Sequence, residues 1–321
     1  MVRIYRNLNR TFHDTGRIWL WLNIPVRIKR VIYSYQLDLA IKKCIREKFV
    51  EIKAAQKTET KQTKDRSILS LALQDTDILD DHTLQVTADQ VKSFLFAGHD
   101  TTSILLQRLF YAFSLHPKVL ATLRAELDTV FGDSDPQHVF LAHPDETLRK
   151  LTYTSACIKE ALRLWPPAAT ARMAPPGTGF KVRTANGDEI CLDGTILYSC
   201  HYLIQRDPAV YGETANEFIP ERWIGDSDTS SRTQTDGQAQ TETETSADKI
   251  PVSAWRAFER GPRSCIGQEL ANLEARVILA CVMGRFDFEK VGVGEVEVDE
   301  EGRPVVDAKG VYKTRSELFN V

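Results

Sequence analysis

The chain reads as a mainly α protein with small β-sheets. Two patterns predict that class. Apolar residues recur at three- and four-residue intervals along most of the chain, whereas residues 180–197 alternate short β-favouring runs with Asn-Gly and Asp-Gly pairs. Composition is the third observation: 321 residues, 42% hydrophobic and 26% charged, suffice for a sizeable core and do not suggest a fibrous or wholly disordered chain. We expect a single domain over residues 1–321.

The first thirty residues hold seven basic side chains (Arg3, Arg6, Arg10, Arg17, Arg27, Lys29, Arg30) against one acid, Asp14, with Trp19 and Trp21 among them. A solvated basic helical face is one reading; membrane-surface contact through residues 1–30 is the other, because Trp and cations suit a lipid headgroup boundary. Ile28, Val31, Ile32, Tyr35, Cys44, Ile45, Phe49 and Ile52 keep helical spacing and are expected to pack, followed by a polar loop from Lys57 to Asp65. Thr87 with Gln90 makes a capping box, and Val91, Phe94, Leu95, Leu105, Leu106 and Phe110 carry a long helix to the His116-Pro117 break. A helix from Val119 through Val130 buries Val119, Leu123 and Leu127 and stops at Gly132; another runs from Leu151 to Leu164 and is halted by Pro166-Pro167.

Asn186-Gly187 and Asp193-Gly194 are hairpin-turn signals within the β-favouring stretch. From Gly225 to Asp248 the chain is rich in Ser, Thr, Gln, Asp and Glu with no large apolar side chain, and is expected to be a flexible insertion at 225–248. Ile266, Leu270, Leu273, Val277 and Cys281 then predict a last helix ending at Gly284, which places Cys265 at a helix N-terminus.

The formal net charge of −3 argues against nucleic acid as a partner. Six cysteines, Cys44, Cys157, Cys191, Cys200, Cys265 and Cys281, form no C-x-x-C pair and no dense framework, so reduced, cytosol-facing thiols are expected instead of a zinc site or disulfides. No run approaches the ~18 apolar residues of a membrane span, Ile18 to Leu22 being the nearest. No G-x-G-x-x-G loop follows a strand, so neither NADPH nor flavin is expected on this chain.

Two stretches carry chemistry. Phe258-Glu259-Arg260-Gly261-Pro262-Arg263-Ser264-Cys265-Ile266-Gly267 sets a cysteine between glycines at the spacing F-x-x-G-x-R-x-C-x-G. A helix N-terminus favours a thiolate there, which is the form that ligates metal. Gly261 and Gly267 let the backbone turn and approach a flat group closely. Phe258 can shield the sulfur, and Arg263 can pair with a carboxylate of the bound group. Gly98, Asp100, Thr101 and Thr102 cluster poor helix formers inside an apolar helix, a local conflict of the kind functional sites tolerate. Thr101 can donate back to the Ala97 carbonyl and open the ladder; a break between two helices capped by Asp100 or Thr101 is the alternative. His99 is read as a helix-surface or core residue.

These runs resemble the cytochrome P450 family. Ala97-Gly98-His99-Asp100-Thr101-Thr102, Glu160-Ala161-Leu162-Arg163, Pro220-Glu221-Arg222-Trp223 and the Cys265 loop match its signatures in order, from about Thr87 onward. The resemblance implies a haem-thiolate monooxygenase with Cys265 as axial ligand of haem b. Phe258, Gly261, Arg263 and Gly267 then belong to the cofactor loop, and Asp100 and Thr101 to a proton relay toward oxygen. Glu160, Arg163 and Arg222 form a structural ionic lock. Ala168, Ala169 and Thr170 are expected beside haem and substrate, His201 or Arg206 near a haem edge, although a surface loop suits Arg206 equally. The implied reaction inserts one oxygen atom from O2 into a small apolar organic substrate. Electrons come from NADPH only through a partner reductase, which Arg256, Arg260 and Arg263 can meet. Eukaryotic members sit on the cytosolic face of the endoplasmic reticulum, usually by a membrane anchor, and begin with helices this chain lacks; we expect an N-terminally truncated member of the fold. Oxygen-independent haem isomerisation or dehydration, and a non-catalytic fragment unable to hold haem, stay open at this point.

Overall fold

The computed structural model describes residues 1–13, 23–57, 67–184, 186–224, 250–292 and 295–314. The expected insertion at 225–248, and the expected polar loop beyond Lys57, lie outside the described residues. The chain forms two compact units, residues 1–99 and 100–321, whose boundary falls inside one long helix.

In the first unit, α1 (Val2–His13), α2 (Ile24–Lys57), α3 (Ile68–Leu73) and the beginning of α4 (Asp81–Leu115) share a core of Tyr5, Leu37, Ile41, Ile45, Leu73, Leu84 and Ala88. The apolar side of α1 thus has a protein partner, and Arg30 reaches back to donate to the Thr11 carbonyl at 2.6 Å. On α2 the buried positions are 37, 41 and 45, whereas Ile28, Val31, Ile32 and Tyr35, which periodicity assigns to packing, are exposed. The reason is that α2 is apolar on two faces, and local spacing does not say which one its neighbours cover. The start of α4 also differs from expectation. Asp80 accepts the Thr83 N–H at 2.8 Å and begins the helix ahead of the Thr87–Gln90 capping box, leaving Thr87 buried in mid-helix.

In the second unit, α4 continues to Leu115 and breaks where expected, at His116-Pro117. Helix α5 (Pro117–Phe131) buries Val119, Leu123, Leu127 and Phe131 and ends at Gly132, whose φ of +52° suits a residue without Cβ. Two short helices that periodicity did not reveal follow, α6 (Pro136–Ala142) and α7 (Pro144–Lys150), each with proline in its first turn. Helix α8 (Thr152–Leu164) is buried over most of its length. Its N-terminus is capped from a distance: Glu126 on α5 accepts the N–H groups of Tyr153 (2.6 Å) and Thr154 (2.9 Å) and the hydroxyls of Thr152 (3.1 Å) and Thr154 (2.6 Å).

Strands β1 (Thr170–Met173), β2 (Lys181–Arg183), β3 (Glu189–Cys191) and β4 (Ile196–Ser199) make two antiparallel pairs. Strands β2 and β3 form the expected hairpin, with Gly187 at φ +89°. The Asp193-Gly194 turn does not join paired neighbours. It sends β4 back to β1, with Thr170 opposite Ser199 and Met173 opposite Ile196. Asp193 fixes that return by accepting the N–H groups of Gly177 (2.8 Å) and Thr178 (3.0 Å), which holds its carboxyl below the usual range. Helices α9 (His201–Ile204), α10 (Pro208–Tyr211) and α11 (Gln268–Met283) complete the unit. Leu105, Leu109 and Phe113 of α4, Leu123 and Leu127 of α5, Cys157, Ile158 and Leu164 of α8, and Leu279 and Met283 of α11 meet in one core. Each of the Leu, Ile, Phe and Met side chains among them stabilises the unit by about 1.5–3 kcal/mol. The architecture is mainly α with small sheets, the class the sequence predicts. No described helix is long and apolar enough to cross a membrane.

Candidate active site

The Cys265 loop is built from backbone bonds. Gly261 opens a tight turn (Gly261–Arg263) at φ +77°, and Ser264 donates to its carbonyl at 3.0 Å. The Cys265 N–H donates to the Phe258 carbonyl at 2.9 Å, closing the loop on itself. Helix α11 begins at Gln268 with Gly267 as its N-cap, so Cys265 stands two residues before the cap instead of on the helix end itself. A Cβ on Gly267 would lie 3.8 Å from the Cys265 sulfur.

The last helix forms where the spacing predicts, but of the residues that carry that spacing Val277 is the one packed against the core. Ala275, Leu279, Ala280 and Met283 are buried, whereas Ile266 (88% exposed), Leu270 and Leu273 stand open beside the loop. As on α2, two apolar faces compete, and only the contacts of the finished fold choose between them. Among the cysteines, Cys157 is buried and burial pushes its thiol well up; Cys265 is exposed.

Thr101 and Thr102 from α4 and Cys265 from the loop line a single cavity of about 210 Å³. Its walls include Leu105, Leu162, Pro167, Ala168, Ala257, Phe258 and Ala271, with Arg263 as a cation and Thr170, His201 and Glu259 as further polar groups. Helix α4 passes Gly98–Thr102 without interruption, so the reading of two helices with a cap there is set aside. Asp100 is partly exposed and is not among the lining residues, and neither is Ala169, expected beside Ala168 and Thr170. The His99 ring packs edge-on against Tyr5, 5.1 Å between centroids.

His201 lies on the cavity, its Nδ1 3.1 Å from the Ala168 carbonyl and its Nε2 2.9 Å from a Glu259 oxygen. The other Glu259 oxygen accepts from Arg256 at 3.0 Å. Arg206, by contrast, donates to the Leu164 carbonyl (2.8 Å) and to Asn216 (2.9 Å), and Arg260 to the Val252 carbonyl (2.7 Å). Neither guanidinium lines the cavity.

Behind the cavity wall, Glu160 and Arg163 are both fully buried and bonded in parallel, Nε to Oε2 at 2.8 Å and an amino nitrogen to Oε1 at 2.7 Å. Arg163 also donates to the carbonyls of Gln205 (2.9 Å), Ala215 (2.6 Å) and Glu217 (2.9 Å). Glu160 accepts in addition from Arg222 (3.2 Å), the Trp223 indole (2.8 Å) and the Ile219 N–H (3.0 Å). The cluster thus gathers Glu160, Arg163 and Arg222. Sequence reading missed Gln205, fully buried, whose amide donates to the Leu162 and Arg163 carbonyls (both 3.1 Å) and accepts the Arg256 N–H at 2.6 Å. A Gln beside Arg206 in a turn gives no local signal of this bridge.

A helical body, a cysteine loop and a threonine pair lining one largely apolar cavity, and a buried Glu–Arg–Arg cluster are the arrangement of a haem-thiolate class of protein. The family model described as Cytochrome P450 matches residues 2–312, and the chain belongs to that family. It is similar to the cytochrome P450 monooxygenase acrF of Aspergillus aculeatus, 36% identical over 207 residues, which cover 64% of this chain and 41% of the relative. A putative cytochrome P450 of Caenorhabditis elegans is 30% identical over 295 residues, 86% of this chain and 51% of the relative. A bifunctional cytochrome P450/NADPH–P450 reductase of Acremonium egyptiacum is 32% identical over 207 residues, 63% of this chain and 17% of the relative. The chain thus spans about half the length, or less, of these curated relatives.

Proposed function

We propose that the chain carries the oxygen-activating half of a haem-thiolate monooxygenase acting on a small apolar organic substrate. The observation that carries this reading is the shared cavity, which Cys265, Thr101 and Thr102 line together. The residues present fit haem b. An exposed thiol supplies a single soft donor, the walls are apolar, Arg263 is placed for a carboxylate edge, and the glycine turn at φ +77° keeps a Cβ off the approach. When bound through Cys265, haem supplies activation of O2 and transfer of one oxygen atom, the other being reduced to water.

The rest is work for the chain's own groups. Cys265 lines the cavity on a loop closed by its own N–H, with Phe258 on the same lining as an apolar neighbour. Thr101 is the hydroxyl through which a proton passes from Asp100, its neighbour in sequence, into the cavity. Leu105, Leu162, Pro167 and Ala168 hold an apolar substrate and exclude water. Glu160, Arg163 and Arg222 keep the cavity wall at Leu162 in place. Electrons come from NADPH through a reductase, a reading supported by the fused reductase named in the Acremonium egyptiacum relative.

The test is the reduced, carbon-monoxide-bound spectrum of the protein loaded with haem. Wild type is expected to give the thiolate band and Cys265→Ser to lose it entirely. A wild-type protein that binds haem without that band, or a serine variant that keeps it, overturns the proposal.

A further inference from the structure

We propose that Glu259 is a positioning residue that clamps the Cys265 loop to the Pro167–Thr170 wall of the cavity through His201. The inference rests on the haem-thiolate reading for its functional meaning, but its geometry stands apart from it.

Glu259 is the one non-glycine residue among those described with a positive φ, +57°. A side chain is rarely tolerated in that conformation, and where one persists the surroundings must hold it. Here they do. One carboxylate oxygen accepts from Arg256, three residues back, and the other lies 2.9 Å from His201 Nε2. The second nitrogen of His201 is 3.1 Å from the Ala168 carbonyl, so the ring joins the loop to the Pro167–Thr170 wall. The side chains of His201 and Glu259 are only 3% and 15% exposed, so water competes little with the pair.

The connection to the sulfur is short. The peptide preceding Glu259 carries the Phe258 carbonyl, and that carbonyl accepts the Cys265 N–H at 2.9 Å. Fixing Glu259 therefore fixes the acceptor that sets where Cys265 stands. Burial raises the Glu259 carboxyl, but the polar surroundings at Thr170 and His201 and the charges of His201 and Arg256 outweigh it and leave the group below its ordinary value. The charged and titratable groups around the pair are Arg256 from the loop, and Arg263 and Cys265 on the cavity; Pro167 to Thr170 add none.

Two measurements test the clamp independently of each other. The first is amide hydrogen exchange in the protein without added haem. Glu259→Ala and His201→Ala are expected to speed exchange at the Cys265 N–H by about tenfold, with the amides of α8 unchanged and the double variant no faster than either single one. Glu259→Gly relaxes the backbone but deletes the carboxylate, and is expected to match Glu259→Ala. Glu259→Gln retains an acceptor for one partner and is expected to fall between. Wild-type exchange in Glu259→Gly, or additive effects in the double variant, overturns the clamp. The second measurement is the carbon-monoxide spectrum of the loaded protein, in which Glu259→Ala is expected to lose the thiolate band faster than wild type during incubation. Equal loss overturns the positioning role. A wild type without the band defeats the haem reading instead, and the exchange experiment then decides the clamp by itself.

Discussion

The Glu160 cluster and the Cys265 loop, both in the second unit, solve opposite problems. Around Glu160 two fully buried opposite charges are saturated: five donors reach Glu160, counting the two from Arg163, and three carbonyls take the rest of the Arg163 guanidinium. Among the described residues no buried side-chain polar atom lacks a partner. The loop is the reverse. It exposes a thiol and an isoleucine, relies on a glycine at φ +77°, and holds a glutamate at φ +57°. The difference teaches where this fold keeps its order: the cluster spends polar groups on rigidity, and the loop keeps open surface for what binds it.

The largest expected effect is at the cluster. Arg163→Ala takes from buried Glu160 its two-bonded partner and leaves it Arg222 alone as cation, and should cost about 3–5 kcal/mol in urea denaturation, with haem incorporation lost. A variant of unchanged midpoint and haem content would mean the buried pair does not organise the unit. Next comes Gly261→Ala, which places a Cβ on a left-handed residue and should cost about 1–2 kcal/mol. The smallest change is Ile266→Ser. At 88% exposure the side chain packs against little, and the midpoint without haem should stay within about 0.5 kcal/mol of wild type. A larger loss would show that the loop shares in the core and erase the contrast with the cluster.

Much of this was legible in the sequence where the signal is local. The break at His116-Pro117, the Val119, Leu123 and Leu127 stripe with Gly132, the extent of α8 and the Asn186-Gly187 hairpin all follow from spacing and turn chemistry. The cysteine loop and the Glu160, Arg163 and Arg222 set were legible as motifs. What escaped depends on partners far apart in the chain. Which face of α2 or α11 is buried, the return of β4 to β1, the Glu126 cap on α8 and the Gln205 bridge are decided by tertiary contacts that leave no periodic trace. Glu259 escaped for a related reason, since nothing in Phe-Glu-Arg-Gly announces a left-handed glutamate.

Helix α8 is fastened at both extremities. Glu126 grips its first turn, and about 15 Å further along the axis Arg163 anchors its last turn to three carbonyls. A rod pinned at each end cannot slide like a piston, so Leu162, which it carries into the cavity, is a stationary wall. Any breathing of that space to admit guests of different size must come from walls other than α8 and the clamped Glu259–His201 pair, namely α4 at Thr101 to Leu105 and α11 at Ala271.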